Sequence, residues 1–214
     1  ALHPDDWLND RSRGDIFLYT DNLKGAEEEY KKLLLRKEGE GRGWGLNRLI
    51  ALYTLQGRFA DAKRAAASFI QLAEKFGQDR WARLCRLWLS DGQISVDPEA
   101  ALRELDKAWT SAVADESRGD QRGILLNQGL ALLKMNSLGR AQDVAAKLKA
   151  SVEMAPNKRL YWYDHYLTGM IELEKKNYSR AVELFDLGLP LLDVDADEQL
   201  LFADAMGTAF YQLA

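Results

Sequence analysis

The residues of this 214-residue chain best suited to chemistry are few: two histidines, one cysteine, a run of aspartates and a cluster of glycines. His3 and His165 lie in unrelated segments, so a histidine triad for a metal is impossible. His165, in Tyr161-Trp162-Tyr163-Asp164-His165-Tyr166, is expected to be a hydrogen-bonded packing residue. Cys85 has Arg83 and Arg86 near it in sequence, which would activate a thiol if they shared its surroundings. Its neighbours Leu84 and Leu87 instead point to a buried, inert one. Asp193, Asp195 and Asp197 resemble the start of a calcium loop, but the sixth position is Glu198 where a glycine is needed and the twelfth is Asp204 where a glutamate is needed. Acidic residues there fit the start of a helix better. Gly39-Glu40-Gly41-Arg42-Gly43-Trp44-Gly45 follows no strand and precedes no Lys-Ser/Thr pair, so it is not a phosphate loop. It reads as an inter-repeat turn. No catalytic residue, metal or cofactor is expected.

Composition narrows the remaining classes. The chain is 47% hydrophobic and 29% charged, with a formal net charge of −4. Such a chain buries a core without disulfides, and an acidic balance does not favour an electrostatic grip on nucleic acid. No apolar run approaches the roughly 20 residues of a membrane span. The expected partners are therefore neither nucleic acid nor membrane, and a cytoplasmic location is the natural expectation. The chain opens Ala1-Leu2-His3-Pro4 and closes inside an apolar periodic stretch, so we expect a piece of a longer polypeptide.

The elements that would position any site emerge from self-similarity. Gly129 and Arg140-Ala141 recur as Gly169 and Arg180-Ala181 at an offset of 40 residues. The same small residue appears earlier as Ala26, Ala62 and Ala101, giving spacings of 36, 39, 40 and 40. Each alanine opens a stripe at helical spacing, such as Ala62, Ala66, Phe69 and Ala73, or Ala101, Leu105, Ala108 and Ala112. A second apolar segment lies upstream of each: Leu46 to Leu55, Trp81 to Leu89, Ile124 to Met135, Tyr161 to Leu173. Gly57 suits a left-handed helix C-terminus, Asp97-Pro98-Glu99 a helix start, and Pro156-Asn157 a helix end. No sustained period-two alternation suggests a strand. Each repeat is thus expected to be a helical hairpin.

The pattern resembles the tetratricopeptide repeat. Leu46, Leu49, Tyr53, Gly57, Phe59 and Ala62 fall on its positions in register, as do Leu125, Gly129, Leu132, Leu138, Ala141 and Ala145. The resemblance implies an all-α fold: a right-handed α-solenoid superhelix of about four to five antiparallel helix pairs, forming one domain over residues 1–214. The repeats are expected near 5–40 (partial), 43–77, 79–115, 120–155 and 159–193, with a terminal helix at 197–214. It also implies a concave groove lined by first helices, the default binding surface of such arrays. Aligning the first helices places Asn47, Arg48, Arg83, Arg86, Asn127, Tyr163 and Tyr166 in that groove. Amides and guanidiniums there would hold a peptide backbone or a carboxylate. The carboxylate clamp of chaperone-binding members is not matched, since Ala51 replaces an Asn and Leu126 and Leu130 intrude.

These readings lead to a non-enzymatic scaffold or regulatory module that binds a protein segment, or a neighbouring domain of its own chain. The alternative is a small-ligand-sensing regulatory domain of a bacterial signalling or transcription protein. Exposed repeat ends, with Phe202, Phe210 and Tyr211, would also permit homo-oligomers.

Overall fold

The computed structural model describes residues 6–37, 39–192 and 198–213, and in the last helix the side chains from residue 201 onward. His3, Asp193, Asp195, Asp197 and the side chain of Glu198 lie outside the described residues. The regular elements described are all helical: α1 (Trp7–Tyr19), α2 (Leu23–Leu34), α3 (Gly39–Leu55), α4 (Phe59–Lys75), α5 (Asp79–Gln93), α6 (Pro98–Ala114), α7 (Arg118–Lys134), α8 (Leu138–Glu153), α9 (Tyr161–Glu174), α10 (Tyr178–Gly188) and α11 (Glu198–Leu213), with 3-10 turns at Lys158–Leu160 and Leu189–Leu191. Two compact units result, one ending at Leu89 and the other beginning at Ser90.

Within each unit the helices stack in series. In the first, α1 packs on α2, α2 on α3 and α3 on α4; in the second, each helix from α6 to α10 packs on its successor. First helices of successive repeats also meet, α1 with α3, α7 with α9 and α9 with α11. Such contacts let one hairpin bury the stripe that its neighbour leaves open.

Small residues set these crossings. Ala26, Ala62, Ala101, Ala141 and Ala181 each occupy the fourth position of a second helix, and all are buried at 2% exposure or less. Their stripes continue inward through Ala66, Leu105, Leu148 and Phe185, whereas Phe59 and Phe76, at the ends of α4, are exposed.

The turns repeat as closely as the alanines. Six of them place one residue in the left-handed region between two helices: Asp21, Gly57, Gly77, Glu116, Asn136 and Lys176. Each is a Schellman motif. Arg58 N–H donates to the Tyr53 carbonyl at 2.8 Å, Ser137 N–H to that of Leu132 at 2.8 Å and Asn177 N–H to that of Glu172 at 2.9 Å. Helix starts are capped by side chains: Asp6 accepts from Leu8 N–H, Asn22 from Gly25 N–H and Asp97 from Ala100 N–H.

Two expectations are corrected. The glycines from Gly39 to Gly45 form the opening turns of α3, not a turn between repeats. Helical geometry sends Gly41 and Gly45 to one face, where a Cβ on Gly45 would stand 2.7 Å from Leu33 and 3.0 Å from the Tyr30 carbonyl oxygen. Close approach of α2 therefore requires the missing side chain, and tertiary packing offsets the poor helix propensity of glycine. Phe202 is not an exposed end residue. It is fully buried on α11, with its ring centroid 4.9 Å from Tyr166 and 5.9 Å from Phe185, while Phe210 and Tyr211 are exposed.

Candidate functional site

The other face of the same glycine run opens a groove in the first unit. Gly39, Gly43, Asn47 and Ala51 recur every four residues along α3, so one helix face carries almost no bulk. Opposite them on α5 stand Trp81, Leu84, Cys85 and Trp88, again at steps of three and four, and Phe69 of α4 lies against both walls. Two adjoining depressions of about 330 and 280 Å³ share Asn47, Phe69 and Trp81. Their sizes approach the ~300–1,000 Å³ of small-molecule pockets.

The groove is apolar, aromatic and rigidly backed. Trp81 and Trp88 keep 49% and 39% of their surface open, large values for indoles that would normally be buried. Trp44 stacks on Trp7 of α1 at 6.3 Å between ring centroids, and the Arg11 guanidinium lies 4.1 Å from its ring. Polar groups along the lining are sparse: Glu40, Asn47 and Gln78. Cys85 is 8% exposed, with Sγ 3.7 Å from the Ala66 carbonyl oxygen, as expected for an interior thiol.

The residues proposed from sequence are dispersed. Asn47 is exposed where the two depressions join. Arg48 turns toward α1, its Nη2 donating to Asp15 Oδ2 at 3.2 Å. Arg83 is interior at 2% exposure, and Arg86 pairs with Glu74 of α4. In the second unit Asn127 is half-buried on α7, Tyr163 stacks on Trp162 at 3.8 Å, and Tyr166 is 5% exposed between Phe185 and Phe202. Burial pushes the Tyr166 phenol up to about 12, with Asp204 and Asp91 adding to the effect. Neither Arg83 nor Tyr166 therefore offers an open surface to a partner. Reading α5 by its aromatic spacing, Trp81 to Trp88 at seven residues, would have found the wall that aligning polar positions missed.

His165, in the second unit, is half-buried on α9, and burial lowers its pKa. Among the described residues no three His, Cys, Asp or Glu side chains gather as a metal-binding group, and no described helix is long and apolar enough to cross a membrane.

No family model matches the chain. A Bos taurus protein named Protein SGT1 homolog is 35% identical to it over 111 residues, which are 50% of this chain and 28% of that protein's length. The crystal structure of a tetratricopeptide repeat protein from Parabacteroides merdae is 12% identical, covers 95% of this chain and 98% of its own, and superposes with a TM-score of 0.32. Helix pairs recurring every 36 to 40 residues, a buried alanine at the fourth position of every second helix and contacts between the first helices α1 and α3, α7 and α9, and α9 and α11 make this chain an all-α array of helical hairpins.

Proposed function

We propose that the chain is a binding module that takes an extended, largely apolar protein segment into the groove between α3 and α5. The observation that carries this reading is the pair of exposed indoles, Trp81 and Trp88, facing an α3 wall in which glycines, Asn47 and Ala51 stand among Trp44, Ile50 and Glu40. Indoles are favoured anchors for partners, and two depressions flanking one amide suit two apolar side chains of an extended segment held through its backbone by Asn47. Among the described lining residues Glu40 is the one formal charge, so a neutral or weakly basic segment fits better than an acidic one. Helical-repeat folds generally act by presenting such surfaces.

A random peptide library displayed on phage and panned against the whole chain provides the test. Enriched peptides should carry two apolar residues near each other, and they should bind about tenfold or more weakly to Trp81→Ser and to Asn47→Ala. Trp81 is half exposed, so its replacement leaves the core intact. Enriched peptides that bind the Trp81→Ser chain undiminished would overturn the assignment.

A further inference from the structure

A second concavity, about 340 Å³ in volume, lies within the second unit and differs in kind. Two second helices, α8 and α10, wall it together with α9, which supplies Asp164, His165 and Thr168. Asp164, His165 and Thr168 come from adjoining positions of α9, with the Thr168 hydroxyl donating to Asp164 Oδ1 at 3.3 Å. The His165 Nδ1 atom is buried and finds no hydrogen-bond partner among the described residues. Lys149 and Arg180 stand at the same pocket on α8 and α10, and Ala145, Leu184 and Leu187 provide aliphatic surface.

The charges exclude simple ligands. An anion drawn by Lys149 and Arg180 would meet the half-buried Asp164 carboxylate, and a cation drawn by Asp164 would meet Lys149 and Arg180. A molecule carrying both signs satisfies the set. An ammonium brings three donors. The Asp164 carboxylate, the unpartnered Nδ1 of a ring protonated at Nε2 and the Thr168 oxygen are three acceptors. Burial lowers the His165 pKa, with Arg180 and Lys149 adding to that effect against Asp164, which favours the neutral ring and its acceptor nitrogen. The cations can turn to a ligand. Lys149 approaches Glu153 at 4.0 Å and Arg180 pairs with Glu183, both surface pairs with all four side chains more than half exposed, and such pairs exchange at little cost.

We propose that this pocket binds an aliphatic α-amino acid as its zwitterion, the ammonium on Asp164, His165 and Thr168, the carboxylate on Arg180 and Lys149, and the side chain against Leu184 and Leu187. It shares no residue with the α3–α5 groove and does not depend on that reading.

Amide-resolved NMR titration of the whole chain with L-leucine, L-isoleucine, L-valine, L-leucinamide and N-acetyl-L-leucine tests the assignment. At least one of the three amino acids should shift residues 164–168 and 180–187 saturably, with dissociation in the millimolar range or tighter. Leucinamide, which mimics a peptide N-terminus, and N-acetyl-leucine, which lacks the ammonium, should each bind at least tenfold more weakly than leucine. Asp164→Asn and Arg180→Met should lose at least tenfold, while Trp81→Ser should change nothing. No saturable shift from any of the three amino acids at concentrations on the order of 10 mM would overturn the proposal. So would leucinamide or N-acetyl-leucine binding as tightly as leucine, a result obtained on the unaltered chain and independent of whether any variant folds.

Discussion

The pairs α1/α2 and α9/α10 solve one packing problem with opposite chemistry. In each, a glycine of the first helix precedes the buried alanine of the second by 12 residues, and the ring four residues beyond that alanine covers the glycine: Gly14, Ala26 and Tyr30 in one, Gly169, Ala181 and Phe185 in the other. A Cβ on either glycine would run into that ring. Phe185 stands among other rings, with Tyr166 and Phe202 centred 6.0 and 5.9 Å away. At the Tyr30 hydroxyl the neighbours are charged. Its hydroxyl donates to Asp15 at 2.7 Å, Asp15 also holds Arg48 of α3, and the nearly buried Asp10 receives both Arg13 and Arg36. Small residues therefore specify the crossing, and what surrounds it is free to be ionic or apolar. The pair α7/α8 shows the same freedom differently: Ala145 replaces the ring, and Leu167 from α9 fills the space over Gly129, 2.6 Å from where a Cβ would lie.

The comparison breaks most visibly at the rings. Phe185→Ala empties a fully buried aromatic site and should cost about 3–5 kcal/mol in urea unfolding followed through the second unit. Tyr30→Phe keeps the ring and removes only a hydrogen bond to a carboxylate that Arg48 still holds, so about 1–2 kcal/mol is expected. If the tyrosine change proved as damaging as the phenylalanine change, the ionic network, rather than ring packing over glycine, would be what holds the first pair together.

Sequence made the hairpins legible because period and stripe are local properties. The five alanines, the Gly57 turn and the Asp97-Pro98 start all stand where the spacing placed them. The glycine run was opaque for a physical reason: glycine weakens an isolated helix, and only the approach of α1, α2 and α4 makes a helix there worthwhile. The Gly14–Ala26 spacing repeats that of Gly129–Ala141 and Gly169–Ala181, so this third glycine was available to counting. Of the candidate site, Asn47 was legible from aligned first helices. Arg83 and Tyr166 fall inside because a first helix shows one face to its own partner and another to the groove, and residue type alone does not say which. Trp81 and Trp88 were hidden by their apolarity, which reads as core until burial is known.

A smaller effect separates the turns of the same two pairs. Asp21 and Lys176 both hold the left-handed position, at φ 58° and 64°. Aspartate visits this region more readily than lysine, whose side chain gains nothing locally to offset the crowding. Lys176→Gly should therefore stabilise by about 0.5–1 kcal/mol, and Asp21→Gly by less, in thermal unfolding. Equal gains would show that the second helices, rather than the turn residue, bear the strain.

The finest distinction is acid sensitivity. Glu27 of α2 is held at about 2 against the cost of its burial by hydrogen bonds from Arg58, Lys31 and Tyr53. Two of those partners lie beyond its own hairpin, Tyr53 on α3 at 3.1 Å and Arg58 just before α4 at 2.7 Å. Glu172 of α9 is lowered first by Lys175 and also by Asn177, against its burial, and both of these partners sit within or just past its own helix end. A carboxyl with a depressed folded pKa binds fewer protons when folded, so its contribution is present above the unfolded pKa, near 4.5, and is lost as pH falls toward the folded value. Between pH 4.5 and 2 the protection of the α3–α4 turn from hydrogen exchange, measured relative to the intrinsic rate at each pH, should therefore fall, and Glu27→Gln should flatten that dependence by removing the titrating group. Glu172→Gln should alter exchange only around Lys175 to Asn177, because its bonds tie no second repeat. The Glu27 effect stays small, since the exposed members of such clusters are each worth about 1 kcal/mol or less. A Glu172→Gln chain whose α8–α9 packing loosened as much in acid would erase the distinction between a carboxylate that staples two repeats and one that only finishes a helix.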